Sequence, residues 1–154
     1  WQHFARVAGC GEVSQVSADM VFVDDGFVCY DSIAALQLRT DKGLVGRVIQ
    51  DVVSLPIRKR ALIQGSNGAI EWICGWKAGF DAITVTSNSH PPKIQEIEKT
   101  RPEDFILEVM HLEEQLNGQA TISPIDAKFG ISTMYVVNAA FQAHKTSTVV
   151  APSQ

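Results

Sequence analysis

The sequence lacks several features that mark membrane, secreted and redox proteins. Its three cysteines form no CxxC pair and are odd in number, which indicates reduced, partly buried thiols in a cytoplasmic protein; they are Cys10, Cys29 and Cys74. No apolar run approaches the ~18 residues needed to span a bilayer, and no signal-peptide pattern is present. We therefore expect a cytoplasmic protein without a membrane partner.

An excess of positive charge is also absent. The net charge is −4, and basic residues are interspersed among acidic ones except at 58–60, a triplet typical of a solvated strand edge. We therefore predict no nucleic-acid partner. A chain of 154 residues, 45% hydrophobic, predicts a single domain over residues 1–154. Because the chain opens on Trp1 rather than Met, we expect that it comes from a longer protein.

What the sequence does contain is a series of alternating segments separated by turn residues. They predict strands at 12–23, 32–40, 44–54, 58–64, 69–74 and 80–86, and a short final strand at 148–151. Residues 41–43 fit a three-residue hairpin loop with Gly43 in the left-handed position. Residues 65–68 could suggest a phosphate loop, but a strand rather than a helix follows, which favours a hairpin turn.

Helical periodicity is present near both ends of the chain. Residues 4–8 are typical of the last turn of a helix. Thr100 and Glu103 form a capping box, which predicts a helix with Thr100 at its N-cap. Ser123 as N-cap and Pro124 at N1 predict the last helix. These elements predict an α+β fold: a predominantly antiparallel sheet of about six strands, with helices packed on one face and an open face for substrate or dimer contact.

The register of the second hairpin divides the predicted sheet into two faces. If Thr40 lies opposite Leu44, one face is apolar and receives the helices; it carries Leu36, Leu38, Leu44, Val48 and Val52. The other face mixes polar and apolar side chains, namely Gln37, Arg39, Arg47, Asp51, Ile33, Val45, Ile49 and Val53. Such a face is too apolar for an ordinary wet surface, so we expect a partner to cover it.

Candidate catalytic groups are few. His111 has Glu108 and Glu114 at helical spacing and could bind a metal, but this spacing is also common on solvated helices. Trp72 and Trp76 favour core and edge packing over a platform for sugar stacking. No positioned base accompanies the cysteines, and no GxGxxG follows a first strand. We predict no catalytic residue, no metal site and no cofactor-binding residue in this chain.

Three stretches carry a resemblance to a known family. They are FARVAGCGEVSQVSA at 4–18, the strand run at 31–72, and residues 101–150 with RPEDFILEVMHLEEQLNG and SPIDAKFGISTMYVVNAAFQAHKTSTVV. In order and character they resemble the C-terminal domain of the Gfo/Idh/MocA oxidoreductases, NAD(P)-dependent enzymes acting mainly on sugars, cyclitols and related compounds. Family members begin with a Rossmann domain and a Glu-Lys-Pro motif whose lysine assists catalysis. Neither is in this sequence, since Glu98-Lys99-Thr100 lacks the proline.

The resemblance implies the C-terminal substrate-binding and oligomerisation domain of a dehydrogenase, inactive alone, with NAD or NADP bound elsewhere in the parent protein. The family's Asp-x-x-x-His motif lies on the helix entering this domain, so its histidine would fall just before residue 1. A sugar-like substrate would lie between nicotinamide and the mixed face, and hydride would pass between a carbinol carbon and the nicotinamide ring.

The resemblance also implies residue roles. The implied substrate neighbours are Trp1, His3 and Arg47, although relatives often carry aspartate where His3 stands. The implied contacts of a homo-oligomer are Gln37, Val45, Arg47, Ile49, Asp51 and Val53. Two alternatives remain: a stand-alone α+β binding module that dimerises through its sheet, and a metal hydrolase built around His111.

Overall fold

The structure, a computed structural model, describes residues 1–118, 123 and 125–153. Those residues form three helices and seven strands: α1 (Gln2–Val7), β1 (Val13–Asp24), β2 (Cys29–Thr40), β3 (Val45–Asp51), β4 (Arg60–Gly65), β5 (Gly68–Lys77), β6 (Phe80–Ser87), β7 (Lys93–Glu98), α2 (Glu103–Leu116) and α3 (Ala127–Thr146). The predicted α+β class with antiparallel sheets is confirmed. The prediction of one sheet of about six strands is not, because the strands form two sheets, β1-β2-β3 and β4-β5-β6-β7.

The chain leaves the first sheet at the end of β3, the last strand of that sheet. The chain forms two compact units, one of Trp1–Ser54 with Ile122–Gln154 and one of Leu55–Thr121. At the end of β3 the Asp51 carboxylate accepts hydrogen bonds from the backbone N–H groups of Val53 and Ser54, which turns the chain out of the ladder. Pro56 lies two residues after Ser54, and because proline has no backbone N–H it cannot donate to a strand ladder. The assignment of residues 1–154 to a single domain stays a prediction.

In the first unit the predicted hairpin register is confirmed. Arg39 lies opposite Val45, the N–H of Thr40 donates to the carbonyl of Leu44, and Gly43 has a φ of 88°. The apolar face of this sheet packs on α3, which contributes Val136, Ala139 and Ala140 to the core. Because two of these side chains are alanines, the helix can approach the sheet closely.

The starts of the two longer helices differ from the prediction. α3 begins at Ala127, and Asp126 is its N-cap: the Asp126 carboxylate accepts a hydrogen bond from Lys128 N–H. Ser123, the predicted cap, lies upstream, and its hydroxyl accepts from Ile125 N–H. Pro124, predicted at N1, lies outside the described residues. α2 begins at Glu103 with Pro102 as its N-cap.

The proposed capping box is therefore wrong about which residue caps α2. Thr100 reaches the carboxylate of Glu103 through its side-chain hydroxyl, rather than a free amide of the first helical turn. Instead, the first backbone hydrogen bond of the helix runs from Ile106 N–H to the carbonyl of Pro102. A side-chain pair at the right spacing can thus form without capping the helix.

In the second unit, β4 and β5 pair through Ser66-Asn67, which confirms the hairpin predicted at 65–68. Strand β7 is not predicted from the sequence, because its residues are all exposed and three are charged. None of the residues of α2 is buried, and several of its apolar side chains are about half exposed. Among the described residues, no helix is both long enough and apolar enough to cross a membrane.

Candidate functional site

The main candidate surface is the face of the first sheet that α3 does not cover, here called the open face. The register of the three strands arranges its side chains in rows that run across the sheet. The rows are Gln15–Arg39–Val45, Ser17–Gln37–Arg47, Asp19–Ala35–Ile49 and Val21–Ile33–Asp51. Five apolar side chains on or beside these rows are at least a third exposed, and Ile49 is the most exposed of them at 73%. These exposed apolar side chains are neighbours on one surface and form a patch, whereas exposed apolar residues usually occur singly.

The charges of the open face are separated along the strands. Arg39 and Arg47 lie in the first two rows, and Asp19 and Asp51 lie in the last two. The pKa of Asp51 is held below its ordinary value, chiefly by the hydrogen bond from Ser54 N–H, so this carboxylate is charged at neutral pH. The open face therefore has a positive end and a negative end.

Trp1 lies on the opposite side of the same sheet. Its indole packs against the core and occupies the space beside Gly46, where an added β-carbon would overlap the ring. Successive residues of a strand point to opposite faces, so Arg47 points away from Trp1. His3 is exposed on α1, with its ring 6.3 Å from the ring of Phe4. The structure therefore does not bring Trp1 and Arg47 together as one pocket lining.

A polar cluster anchors α1 beside Trp1. The Arg6 guanidinium donates two hydrogen bonds to the Glu12 carboxylate, at 2.6 and 2.8 Å, and also contacts the Ser132 hydroxyl. Gln2 reaches both Glu12 and Ser132. The hydrogen bond from Arg6 is the main reason that the pKa of Glu12 lies below its ordinary value. Local sequence pattern does not predict this cluster, because residues from α1, α3 and the segment before β1 meet only through the fold.

In the second unit, one buried carboxylate organises the hairpin of β5 and β6. Asp81 accepts from the Trp72 indole N–H at 3.1 Å and from the Gly75 backbone N–H at 3.0 Å, and Lys99 Nζ lies 3.4 Å away. Burial raises the pKa of Asp81, but these donors and Lys99 outweigh burial, so the pKa lies below its ordinary value. Trp72 is thus tied into the hairpin, in line with a packing role.

A cleft lies next to this carboxylate. Its volume is about 500 Å³, and its lining includes Phe80, Ile97, Lys99, Arg101 and Asp104. The charged groups of the lining include both signs, and the Asp81 carboxylate is already satisfied by its three partners. The lining therefore has no excess of one sign of charge that would favour an anionic or a cationic ligand.

The remaining candidate groups do not assemble into a catalytic centre in the part of the chain that the structure describes. There, no three His, Cys, Asp or Glu side chains gather as a metal-binding group. His111 Nδ1 lies 3.8 Å from the Glu114 carboxylate, which fits a helix-surface pair. The three cysteines are free thiols.

The described residues do not fit a nicotinamide dinucleotide. Such a cofactor is held where a glycine-rich turn joins a strand to a helix within a parallel βαβ unit. Here β1 is followed directly by β2, and every described strand pair is antiparallel. Within the described ranges, no helix N-terminus follows a strand in the way that a pyrophosphate site requires.

The sequence matches no protein-family model and no curated protein. Solved structures do match it. An aldose-aldose oxidoreductase from Caulobacter crescentus complexed with glycerol is 20% identical with a TM-score of 0.74, covering 97% of this chain and 44% of that protein. A levoglucosan dehydrogenase in complex with NADH and levoglucosan is 15% identical with a TM-score of 0.77, covering 99% and 48%.

A third match is the WlbA dehydrogenase from Bordetella pertussis, in complex with NADH and UDP-GlcNAcA. It is 14% identical with a TM-score of 0.61, and the match covers 92% of this chain and 39% of that protein. The chain thus spans less than half the length of each of these three proteins. The predicted resemblance is confirmed in the fold: these residues fold like the C-terminal half of NAD-dependent oxidoreductases of the Gfo/Idh/MocA type.

Proposed function

We propose that this chain is the C-terminal substrate-binding and oligomerisation domain of an NAD(P)-dependent oxidoreductase acting on a sugar, cyclitol or related compound. The observation that carries the proposal is the match of nearly the whole chain to proteins described as sugar oxidoreductases, at TM-scores of 0.74 and 0.77. Because fold alone does not fix function, the division of roles within the chain has to come from its own surfaces.

The two faces of β3 support two separate roles. Trp1 lies against Gly46 on the helix-covered side of the sheet, and His3 is exposed on α1. An indole packed beside a strand offers a flat apolar wall, and an exposed imidazole offers a donor or acceptor, which suit the carbon face and hydroxyl groups of a sugar. We therefore assign substrate contact to Trp1 and His3, and not to the mixed face that the resemblance implies.

Arg47 belongs to the other role. It lies on the open face with Gln37, Val45 and Asp51, separated from Trp1 by the thickness of the sheet. Arg47 does not line the cleft beside Asp81, nor a second cavity of about 420 Å³ that Asp19, His144 and Thr148 line. A flat surface of mixed polarity suits contact with another subunit better than capture of a small molecule.

The nicotinamide cofactor would be held by other parts of the parent protein, since the described residues do not fit it. When bound there, it would accept or supply hydride; this chain would orient the substrate and exclude water from it. The second candidate function is a stand-alone binding module. The open face supports it equally, because contact with a partner through that surface needs no catalytic residue.

Two measurements test the proposal. The 154-residue chain should show no binding of NAD⁺, NADH or NADP⁺ by isothermal titration calorimetry. The complete reading frame that contains these residues should reduce NAD⁺ or NADP⁺ in the presence of an aldose, an anhydrosugar or a cyclitol. Saturable cofactor binding by the chain alone, or absence of turnover with every member of a broad sugar and cyclitol panel, would contradict the proposal.

Variants separate the two roles. In the active full-length enzyme, His3→Ala should raise KM for the sugar about tenfold, the effect of losing roughly 1.4 kcal/mol of binding. Arg47→Ala is the matched control, since it lies on the open face and should leave KM for the sugar within about twofold. If Arg47→Ala raises KM and His3→Ala does not, the assignment of the two faces is reversed.

A further inference from the structure

His144 lies at the outer edge of the first sheet, where the last turn of α3 meets β1. Because β1 is an edge strand, it pairs with β2 along one side only. The backbone N–H of Met20 on β1 donates to Nδ1 of His144 at 3.1 Å. The imidazole therefore supplies an acceptor that a further strand would otherwise supply.

This hydrogen bond fixes the protonation state of the ring. Because Nδ1 accepts from an N–H, it carries no proton, and the single proton of the neutral imidazole is on Nε2. Protonation of the ring adds a proton at Nδ1, and the imidazolium then has donors only. Two N–H groups cannot share a hydrogen bond, so the bond between Met20 and His144 exists only while the imidazole is neutral.

The protonated ring has a different partner close by. Asp19 Oδ1 lies 3.8 Å from Nδ1, beyond hydrogen-bond length, and the Asp19 side chain is 93% exposed, so it can approach the ring. The ring also belongs to the last turn of α3, where the helix carbonyls favour a positive charge. Both effects stabilise the imidazolium, and neither requires the bond to Met20.

Other charges around the ring are few in the part of the chain that the structure describes. Asp19 lies within ion-pair distance of it. Lys145 is the next residue on α3 and is exposed. On β2, Asp31 lies opposite Phe22, whose ring is 5.6 Å from the imidazole. The segment 147–150, which follows α3, carries no charged side chain. Asp19 is thus the group to which the protonated ring would turn.

The second cavity, of about 420 Å³, gives the ring room to turn. Its lining includes His144, Asp19 and Thr148, so the imidazole would move into open space rather than against packed side chains. Farther back along the same edge, Val16 exchanges two backbone hydrogen bonds with Val150, at 2.8 and 2.9 Å. Those bonds contain no titratable group, so a release at His144 stays local.

We propose that His144 is a pH switch that holds the end of α3 to the edge of β1 while its ring is neutral. When the ring is protonated, His144 turns toward Asp19, and the Met20 N–H loses its acceptor. Because an imidazole changes its charge between about pH 5 and about pH 8, the switch responds within that range. It requires neither substrate nor cofactor, so it is independent of the enzymatic role proposed above.

NMR on the complete 154-residue chain tests the switch directly. Two-bond ¹H–¹⁵N correlations should show the ring proton on Nε2 at about pH 8 and protons on both ring nitrogens at about pH 5. The protection factor of the Met20 amide, from which the pH dependence of chemical exchange is divided out, should fall about fivefold over that interval, the effect of one hydrogen bond. The amide of Val16 should keep its protection, which separates a local release from unfolding.

His144→Asn is the decisive variant. The asparagine side-chain carbonyl can accept from Met20 N–H but does not titrate, so Met20 protection should stay constant between about pH 8 and about pH 5. His144→Ala removes the acceptor and should give low protection at both pH values. Asp19→Asn removes the partner of the imidazolium and should move the midpoint of the Met20 change to lower pH by up to ~0.7 unit. The matched control, Asp24→Asn at the far end of β1, should not move it.

Three results overturn the proposal. The first is a Met20 protection factor that does not change when the wild-type ring is protonated. The second is an equal fall in wild type and in His144→Asn, since another group would then be titrating. The third is a ring proton on Nδ1 at about pH 8. His144→Ala need not fold for the test, because wild type and His144→Asn decide among these results.

Discussion

The indole ring of Trp1 fills the space that a side chain at position 46 would need. An added β-carbon at Gly46 would overlap the ring carbon Cζ2 and the ring nitrogen Nε1. Gly46 lies opposite Leu38 on β2, which is 3% exposed, so Trp1 reaches the edge of the core through the gap that the glycine leaves. This contact fixes the start of α1 against the sheet and places Trp1 on the covered face.

Gly46→Ala should therefore displace Trp1. We expect a loss of about 1–3 kcal/mol in the free energy of unfolding, the usual cost of overpacking, measured by urea denaturation. The indole N–H resonance of Trp1 should shift in NMR spectra. The matched control is Gly130→Ala in α3, where an added β-carbon meets nothing within 4 Å. There we expect a gain of up to ~1 kcal/mol from helix propensity.

Glu12 should make stability depend on acid pH. Its pKa in the folded protein lies below the ordinary value of 4.5, mainly because Arg6 hydrogen bonds to it. A lowered pKa means that the stabilisation is complete above the ordinary value and is lost as the pH falls through the lower, folded value. Wild type should exceed Glu12→Gln by up to ~1 kcal/mol at neutral pH, a small figure because the pair is exposed to solvent screening.

Urea denaturation of both proteins at about pH 7 and about pH 3 measures this difference. The gap between wild type and Glu12→Gln should shrink at the acid pH, because protonation of the Glu12 carboxylate removes the charge that the variant lacks. Asp24→Asn is the control, since that exposed carboxylate lies at the far end of β1. An equal gap between wild type and Glu12→Gln at both pH values would contradict the role given to the Arg6 pair.

Asp81→Ala should loosen the second unit selectively. It leaves the Trp72 indole N–H and the Gly75 N–H without their acceptor, and a loss of about 2–4 kcal/mol is expected for such a network. Amide hydrogen exchange should accelerate in β5 and β6 and stay unchanged in β1 and β2. Glu98→Ala, an exposed carboxylate on β7, should change exchange little; uniform acceleration throughout the chain would refute a local role for Asp81.

Ala140→Leu should disturb the packing of α3. Ala140 is 1% exposed and belongs to the core that the helix makes with the first sheet. Enlarging the side chain there should cost about 1–3 kcal/mol, measured as a lower midpoint of thermal unfolding. Ala127→Leu at the exposed start of the same helix should change stability by less than about 0.5 kcal/mol in either direction, as expected for surface sites.

The sequence predicts the open face well because hairpin register is a local property. Gly43 sets the loop, the loop sets Thr40 opposite Leu44, and strand alternation then assigns every side chain of β2 and β3 to a face. The hairpin at 65–68 is predicted for the same reason. Each of these inferences depends on neighbours within a few residues, where turn chemistry is explicit.

Helix starts are less predictable, because several residues near a start can serve as the cap. Asp126 takes the role predicted for Ser123, and Pro102 that predicted for Thr100. The local sequence pattern does not distinguish among these neighbouring residues. Tertiary packing decides the cluster around Arg6, where Glu12 and Ser132 of α3 meet from distant parts of the chain.

By itself, the sequence determined the strand register, the mixed composition of one face and the family that the chain resembles, because these follow from local pattern. Only the tertiary structure decided that the strands form two sheets, and that Trp1 and Arg47 lie on opposite sides of β3. It also decided which residues meet in the cluster around Arg6. These depend on which distant segments pack together, and burial of apolar surface, rather than local preference, selects that packing.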